Sequence, residues 1–255
     1  MHRTAFRRSP REAQESGVRA LVPVRPGPDA KRRLSAVLAP ESRRELALAM
    51  FEDVLDALAS ASTVASIVVT GTDAAARALA EKRGALWVAE PPGGAGLNVA
   101  LAAALAAEGA PRGSASSPPL SSNAPDEFAT PTLIVMGDVP LIEAADVDAL
   151  IHALRPLAPA AVAVPSLDGT GTNALALSDA GLLAPAFGPE SLARHRQAAA
   201  ARDLHWLELP QTRVALDIDT PADLLRLCET VRPDSATGRC IAALGLHSDR
   251  HRVSA

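Results

Sequence analysis

Residues 132–138 read Thr132-Leu133-Ile134-Val135-Met136-Gly137-Asp138, an apolar run that ends in a glycine and a carboxylate. A short apolar run bounded by such a turn predicts a strand buried on both faces, as in parallel sheets covered by helices. Similar runs occur on both sides of it, at 18–24, 64–70, 85–89, 160–165, 173–177 and 214–218. Because helical patterns separate most of these runs, the chain is predicted to form an α/β fold with a mainly parallel central sheet and helices on both faces.

The predicted helices cover 41–60, 73–83, about 97–108, 145–154, 189–202 and 221–231. Thr72 or Asp73 is predicted to cap the second helix, because a short polar side chain can bond the free N–H groups of a first turn. These elements predict one domain over 18–231. The Pro/Ser/Gly/Asn-rich stretch 109–131 is expected to be a mobile surface loop, and the tails 1–17 and 232–255 are expected to fray.

Composition narrows the class of protein. With 255 residues and 48% hydrophobic composition the chain can bury a substantial core. A net charge of -4 argues against a surface built for nucleic acid, so small molecules or proteins are the expected partners. The N-terminal segment lacks an apolar core and no run of 18 uncharged apolar residues occurs, which predicts no export and no membrane span. Cys228 and Cys240 stand alone, as is typical of reduced thiols in a cytoplasmic protein.

A basic loop follows the first predicted strand. Residues 23–34 combine Pro and Gly with four cations, of which Arg25, Lys31 and Arg33 are the candidates for phosphate binding. Such a loop at the carboxyl end of a strand suits a polyphosphate, because its charges offset several phosphate oxygens. It is not a P-loop, and no dinucleotide-binding glycine pattern occurs in the chain. The alternative is a solvated basic loop without a ligand.

Carboxylates end two of the predicted strands. Asp138 follows residues 132–137, and Asp217-Ile218-Asp219 ends the run at 214–218, before Thr220 and Pro221 start a helix. Carboxylates at the tips of neighbouring parallel strands can hold Mg²⁺ against phosphate oxygens. The alternative for Asp219 is that it caps the helix.

Two turns are rich in groups that bind anions. Gly169 to Asn173 includes the hydroxyl of Thr172, and Gly188 to Ser191 opens a helix whose N-terminus attracts anions. Capping by Ser191 explains the second turn equally well. His195 lies one helical turn after Ser191, and on pattern alone it is a surface or packing histidine rather than a catalytic one.

Taken together, these motifs closely resemble the 2-phospho-L-lactate guanylyltransferase family of coenzyme F-420 biosynthesis, which is related to molybdenum-cofactor and sugar-nucleotide nucleotidyltransferases. The matching segments are 30–34, 96–101, 137–141, 171–175, 187–191 with Arg194 and His195, and 217–224. They occur in the order of the family and cover about 21–227. The resemblance implies a Rossmann-like fold of the kind found in nucleotide-diphospho-sugar transferases.

The resemblance also implies site residues. The triphosphate of GTP would contact Arg25, Lys31 and Arg33, and the nucleoside would lie near Gly96, Leu97 and Asn98. Mg²⁺ would be held by Asp138 and Asp219, with Asp217 as helper or substitute. The phosphorylated acid would contact Thr172, Gly188 and Ser191. The residues expected to carry catalysis are Lys31, Arg33, Asp138 and Asp219.

The implied reaction transfers GMP from GTP to a small phosphorylated three-carbon acid and releases pyrophosphate. The Ala- and Arg-rich composition looks bacterial, which favours 3-phospho-D-glycerate and phosphoenolpyruvate over 2-phospho-L-lactate, and of these two 3-phospho-D-glycerate is the expected acid. A homodimer is possible. The chain departs from the family at Arg25, where Lys is usual, at Val139, where Leu is common, and in the long 109–131 stretch.

Two rival functions stay open at this level. One is another nucleotidyltransferase, of the molybdopterin guanylyltransferase or cytidylyltransferase type, which would share the acidic sites. The other is a non-catalytic nucleotide-binding protein on the same scaffold, because a fold does not imply an activity.

Overall fold

A computed structural model describes residues 17–27, 30–93, 96–107 and 131–246. Apart from Gly17 and Pro131, the predicted N-terminal tail and the predicted loop at 109–131 lie outside these residues, as do the last nine residues of the chain. Within the described part, no helix is long and apolar enough to cross a membrane.

The described strands form one sheet in the order β3-β2-β1-β4-β6-β5-β7. Their bounds are β1 Val18–Val24, β2 Val64–Gly71, β3 Leu86–Ala89, β4 Thr132–Val135, β5 Ala160–Pro165, β6 Thr172–Leu177 and β7 His205–Glu208. Neighbouring strands pair in parallel except at β6, which is antiparallel to both β4 and β5. The predicted mainly parallel sheet is therefore confirmed.

Helices cover both faces of this sheet. They are α1 Pro40–Ser60, α2 Ala74–Lys82, α3 Leu97–Ala107, α4 Ala144–Leu154, α5 Ser191–Ala200, α6 Thr212–Ala215, α7 Pro221–Thr230 and α8 Ala236–Ala243, with 3-10 turns at Arg32–Leu34 and Arg155–Leu157. Asp73 caps α2, as predicted, because its side chain accepts hydrogen bonds from the N–H groups of Ala75 and Ala76. On one face Phe51 of α1 and Leu150 of α4 pack in the core, and on the other face Leu101 of α3 and Leu192 of α5 do so.

The predicted strand at 214–218 is wrong. Thr212–Ala215 is a short helix, and the chain runs on without a strand to α7. Val214 and Ile218 are fully buried. Their apolar character therefore reflects burial in two different core clusters and not strand pairing. The edge position beside β5 belongs instead to β7, a four-residue strand whose polar ends produce no apolar run.

The predicted C-terminal tail also needs correction, because residues 236–243 form α8. Ile241 is fully buried and packs with Leu46 and Met50 of α1. The carboxylate of Asp53 accepts hydrogen bonds from the first N–H groups of α8, at 2.8 and 2.9 Å. The helix is short and contains few large apolar residues, so its own sequence carries little periodic signal.

Candidate active site

The centre of the candidate site lies where the segment after β4 meets the basic loop after β1. The ammonium of Lys31 donates to Asp138 Oδ2 at 2.5 Å and to Asp219 Oδ1 at 2.8 Å. Lys31 adopts a left-handed backbone conformation, with φ 52°, at the entry to the 3-10 turn. This conformation is uncommon for a residue with a side chain, and strained residues of this kind concentrate at functional sites.

The charge of Lys31 is held by its surroundings. Burial by itself would lower the pKa of the ammonium, but the adjacent charges of Asp138 and Asp219 outweigh it and raise that pKa above its usual value. The lysine side chain is 9% exposed, whereas those of Asp138 and Asp219 are 26% and 44% exposed. A permanent cation therefore sits between two carboxylates that still face solvent.

Asp217 lies beside this pair and is held by a residue that the sequence did not single out. The side-chain amide of Asn173 donates to Asp217 Oδ1 at 3.1 Å and to the backbone carbonyls of Val214 and Ala215. Burial, reinforced by the charge of Asp138, raises the pKa of Asp217. Asn173 thus holds the Asp217 carboxylate beside those of Asp138 and Asp219. Its position directly after Thr172 in the predicted strand could have suggested this role.

Asp219 does not cap a helix. Thr220 is the N-cap of α7, and it forms a reciprocal capping box with Asp223. The alternative reading of Asp219 is therefore wrong. Its carboxylate instead pairs with the Lys31 ammonium.

Two observations fit the predicted Mg²⁺ site. Asp138 Oδ1 is buried and has no hydrogen-bond partner among the described residues. The carboxylates of Asp138 and Asp219 already share one cation, the Lys31 ammonium. Hard divalent cations prefer such carboxylate oxygens. No three acidic, His or Cys side chains of the described residues converge in a metal-binding arrangement, so Mg²⁺ would be held by one or two carboxylates together with phosphate oxygens of a substrate. Because the Lys31 ammonium already contacts Asp138 and Asp219, Mg²⁺ would compete with it for these oxygens.

A second part of the same cleft is formed by Thr172, Gly188 and Ser191, which we call the acid pocket. Thr172 and Ser191 are 4% and 1% exposed. Gly188 has φ +109°, which favours glycine, and the next left-handed residue, Glu190, is the N-cap of α5. Ser191 is the first residue within α5, so the alternative that it caps the helix is wrong.

His195 is fully buried behind the acid pocket and is therefore a packing histidine, not a surface one. Its Nε2 accepts a hydrogen bond from the backbone N–H of Ala186 at 3.1 Å, and its Nδ1 lies 3.1 Å from Thr172 Oγ1. The ring also meets the Phe187 ring edge-on at 5.0 Å. Burial, together with the charge of Arg194, lowers the pKa of His195 to about 4, so the ring is neutral at pH 7.

The segment predicted to hold the nucleoside contacts the turn of the acid pocket. Asn98 donates to the carbonyl of Phe187 at 3.0 Å and accepts from its N–H at 2.7 Å. Gly96 precedes α3 with φ +94°, and Leu97 lines the cleft. Asn98 therefore uses both side-chain groups to hold Phe187, and Leu97 is the member of this segment that faces the cleft.

The structure does not bring Arg25 to the cleft. Its guanidinium forms a two-point ion pair with Glu90, at 2.8 and 2.7 Å, and the glutamate side chain is 7% exposed. Such a planar pair holds the arginine strongly. Arg33, in contrast, lines the cleft together with Asp138 and Asp219. The predicted triphosphate contacts are thus divided, with Lys31 and Arg33 at the site and Arg25 held elsewhere.

A mainly parallel α/β sheet with a basic turn, clustered carboxylates and a turn rich in hydroxyl and backbone donors along one cleft is the arrangement expected of a nucleotidyltransferase. The sequence profile of the MobA-like NTP transferase domain matches residues 46–208. The chain therefore belongs to the MobA-like NTP transferase family.

Relatives with named activities cover most of the chain. A phosphoenolpyruvate guanylyltransferase of Sphaerobacter thermophilus is 39% identical over 82% of this chain and 91% of its own length. A 3-phospho-D-glycerate guanylyltransferase of Phenylobacterium zucineum is 37% identical over 82% of this chain and 88% of its own length. These matches confirm the family resemblance of the sequence motifs.

Solved structures support the fold. A protein of Desulfovibrio desulfuricans G20 described as a nucleotide-diphospho-sugar transferase superposes with a TM-score of 0.62 at 17% identity, over 91% of this chain and 96% of its own. The 4-diphosphocytidyl-2C-methyl-D-erythritol synthase of Anaerococcus prevotii gives a TM-score of 0.52 at 13% identity, over 83% of this chain and 96% of its own. At these identities the likeness concerns architecture alone.

Proposed function

We propose that the chain is a Mg²⁺-dependent guanylyltransferase that joins the GMP unit of GTP to a phosphorylated three-carbon acid and releases pyrophosphate. One observation carries the proposal: a single cleft is lined by Arg33, by the carboxylates of Asp138 and Asp219, and by the acid pocket. A nucleoside triphosphate and a second anion can therefore meet at the carboxylates. The guanylyltransferase names of full-length relatives support the choice of GTP.

The proposed reaction needs no strong protein base. A phosphate oxygen of the acid, ionised near neutral pH, attacks the α-phosphorus of GTP, and the bond from that phosphorus to the bridging oxygen breaks. Pyrophosphate leaves with the electron pair of that bond. The protein contributes mainly by placing the two anions in line and by offsetting their charge, as in other phosphate-transfer sites.

Each group of side chains has a part in this reaction. Lys31 and Arg33 offset the charge of the triphosphate and of the departing pyrophosphate. The acid pocket orients the attacking phosphate through hydroxyl and backbone donors. Asp138 and Asp219, with Asp217 beside them, would hold Mg²⁺, which neutralises phosphate charge when bound.

The acid is the finer part of the proposal. We favour 3-phospho-D-glycerate, and relatives at 37% and 39% identity are named for 3-phospho-D-glycerate and for phosphoenolpyruvate. We place the product in coenzyme F-420 formation in the cytoplasm. The family resemblance supports this placement.

A pyrophosphate-release assay tests the function directly. Purified protein with Mg²⁺ is incubated with each of the four ribonucleoside triphosphates, in combination with 3-phospho-D-glycerate, phosphoenolpyruvate or 2-phospho-L-lactate. We expect release only with GTP and at least one of the acids, and no release from the matched Asp219→Asn variant. Turnover with CTP in place of GTP would favour the cytidylyltransferase alternative. A lack of release with every pair would contradict catalysis by this chain.

A further inference from the structure

The buried ring of His195 touches two different parts of the acid pocket. Through Nδ1 it contacts the hydroxyl of Thr172 at the start of β6, and through Nε2 it holds the backbone of Ala186, just before the Phe187–Gly188 turn. No surface of the ring is exposed. The imidazole therefore cannot touch a substrate in the cleft, and any influence on the reaction must pass through its neighbours.

The hydrogen bond to Ala186 determines the tautomer of the ring. A backbone N–H can only donate, so His195 Nε2 must be the unprotonated nitrogen that accepts it. The proton of a neutral imidazole then resides on Nδ1. The contact between Nδ1 and Thr172 Oγ1 is consequently a bond in which the histidine donates and the hydroxyl accepts.

The direction of that bond decides what the Thr172 hydroxyl can do. Its oxygen is used as an acceptor by His195, which leaves its own hydrogen to be donated elsewhere. Thr172 Oγ1 makes no other hydrogen bond to the described residues. Because Thr172 lines the cleft, the free O–H can donate to an anionic oxygen bound there.

We propose that His195 is a positioning residue that holds the Thr172 hydroxyl as a donor to a phosphate or carboxylate oxygen of the acid substrate. The inference rests on the proposed function, because it names a residue that acts on that acid pocket from behind. A neutral histidine with both nitrogens engaged imposes one orientation on the hydroxyl. Without this constraint the hydroxyl could turn and present its lone pairs to the anion, which would repel it.

Two substitutions separate the bonds of the ring. His195→Gln places an amide oxygen near the position of Nε2, where it can still accept from Ala186, but it removes the donor to Thr172. His195→Asn places an amide nitrogen near the position of Nδ1, so it retains the donor to Thr172 and loses the contact with Ala186. A merely structural histidine would not distinguish the two variants in this way.

Kinetics with 3-phospho-D-glycerate and GTP provide the main test. We expect His195→Gln to raise the KM for the acid roughly tenfold, the effect of about one hydrogen bond to a charged group, and to leave the KM for GTP within about twofold. His195→Asn should change the acid KM by less than about threefold. Thr172→Val should match His195→Gln or exceed it, Thr172→Ser should restore most of the affinity, and adding His195→Gln to Thr172→Val should cost little more.

The proposal is overturned if His195→Gln leaves the acid KM unchanged, or if the two substitutions multiply in the double variant. Nitrogen-15 spectra of the wild-type imidazoles give an independent readout, with the signal of His195 assigned by its loss in the variants. The Nδ1–H tautomer is expected, and an Nε2–H tautomer would also overturn the proposal. If His195→Gln does not fold, the Asn and Thr172 variants and the spectra still decide the matter.

Failure of the proposed function would look different. Wild-type protein that released no pyrophosphate with any acid would refute the guanylyltransferase assignment. Calorimetric titration of 3-phospho-D-glycerate into wild type and the two His195 variants would then test the inference on binding alone. Equal affinities in all three proteins, or no binding by any of them, would reject it.

Discussion

Replacing Lys31 by methionine removes the cation that Asp138 and Asp219 share. Methionine keeps most of the length of the side chain and loses the charge. Two carboxylates that now pair with the ammonium at 2.5 and 2.8 Å would then face each other, with Asp217 nearby. We expect the folded protein to lose stability when no divalent cation is present, because like charges would be left together in a partly buried site.

The size of the stability loss in Lys31→Met follows from the burial of the lysine and the two aspartates. Removing one partner of a fully buried pair costs about 3–5 kcal/mol, whereas an exposed pair contributes about 0–1 kcal/mol. Here the lysine is 9% exposed and the aspartates are 26% and 44% exposed, which places the site between these limits. A loss of about 2–3 kcal/mol is expected, or a decrease in Tm of about 5–10 °C for a domain of this size.

The assay is thermal and denaturant unfolding of wild type and Lys31→Met in EDTA and in millimolar Mg²⁺. We expect Mg²⁺ to stabilise the variant more than the wild type. In the variant the two carboxylates can bind the divalent cation directly, whereas in the wild type Mg²⁺ must first displace the Lys31 ammonium. Pyrophosphate release should fall strongly even at saturating Mg²⁺, since the triphosphate loses a cationic contact.

Arg33→Met is the matched control, because it removes a charge from the same turn at an exposed residue that faces the cleft. It should impair turnover of GTP and leave Tm nearly unchanged. The reasoning is refuted if Lys31→Met unfolds at the wild-type Tm in EDTA, or if Mg²⁺ stabilises the two proteins equally.

Four further outcomes are expected. Asp219→Asn should lower kcat at least about 100-fold, because it removes a carboxylate that faces the cation, and should change Tm little, because Asp219 caps no helix. A near-normal rate at saturating Mg²⁺ would contradict the metal assignment. Ser191→Ala should raise the acid KM roughly ten- to a hundred-fold without affecting that for GTP, and a selective loss of GTP affinity would move the acid pocket elsewhere. The pKa of His195 falls from 6.5 to about 4 on folding, so the unfolded chain binds this proton first and stability is lost as the pH falls through that range. Between pH 7 and pH 4.5 this protonation lowers the free energy of unfolding by about 2–3 kcal/mol. In urea unfolding the free energy of the His195→Asn variant should therefore depend less steeply on pH than that of the wild type. Ile241→Ala should cost about 2–4 kcal/mol if α8 belongs to the core, whereas a wild-type stability would show that this helix is dispensable.

Local sequence patterns were sufficient to predict the bounds of the helices and strands that have a strong apolar period. β1 occupies 18–24 as predicted, and α1 begins one residue before the predicted start. The predictions failed where tertiary packing overrode the local pattern. Val214 and Ile218 are buried without lying in a strand, and α8 depends on α1 and on the Asp53 carboxylate to form.

The candidate site shows the same division. Asp138, Lys31 and Arg33 could be selected from their types and their places after strands, whereas Asp219 was selected through a predicted strand that the structure does not contain. Arg25 could not be excluded in this way, because the ion pair that holds it joins residues 65 positions apart in the chain.

The sequence by itself thus determined the α/β class, the positions of six of the seven strands and the residue types available for phosphate and metal binding. These properties follow from apolar periodicity and from charge, which are local along the chain. Only the tertiary structure decided that β6 runs antiparallel, that Lys31 occupies the position between the two carboxylates, and that His195 faces Thr172. A strand buried on both faces reads as the same apolar run in either direction, and a hydrogen bond depends on distances that folding alone establishes.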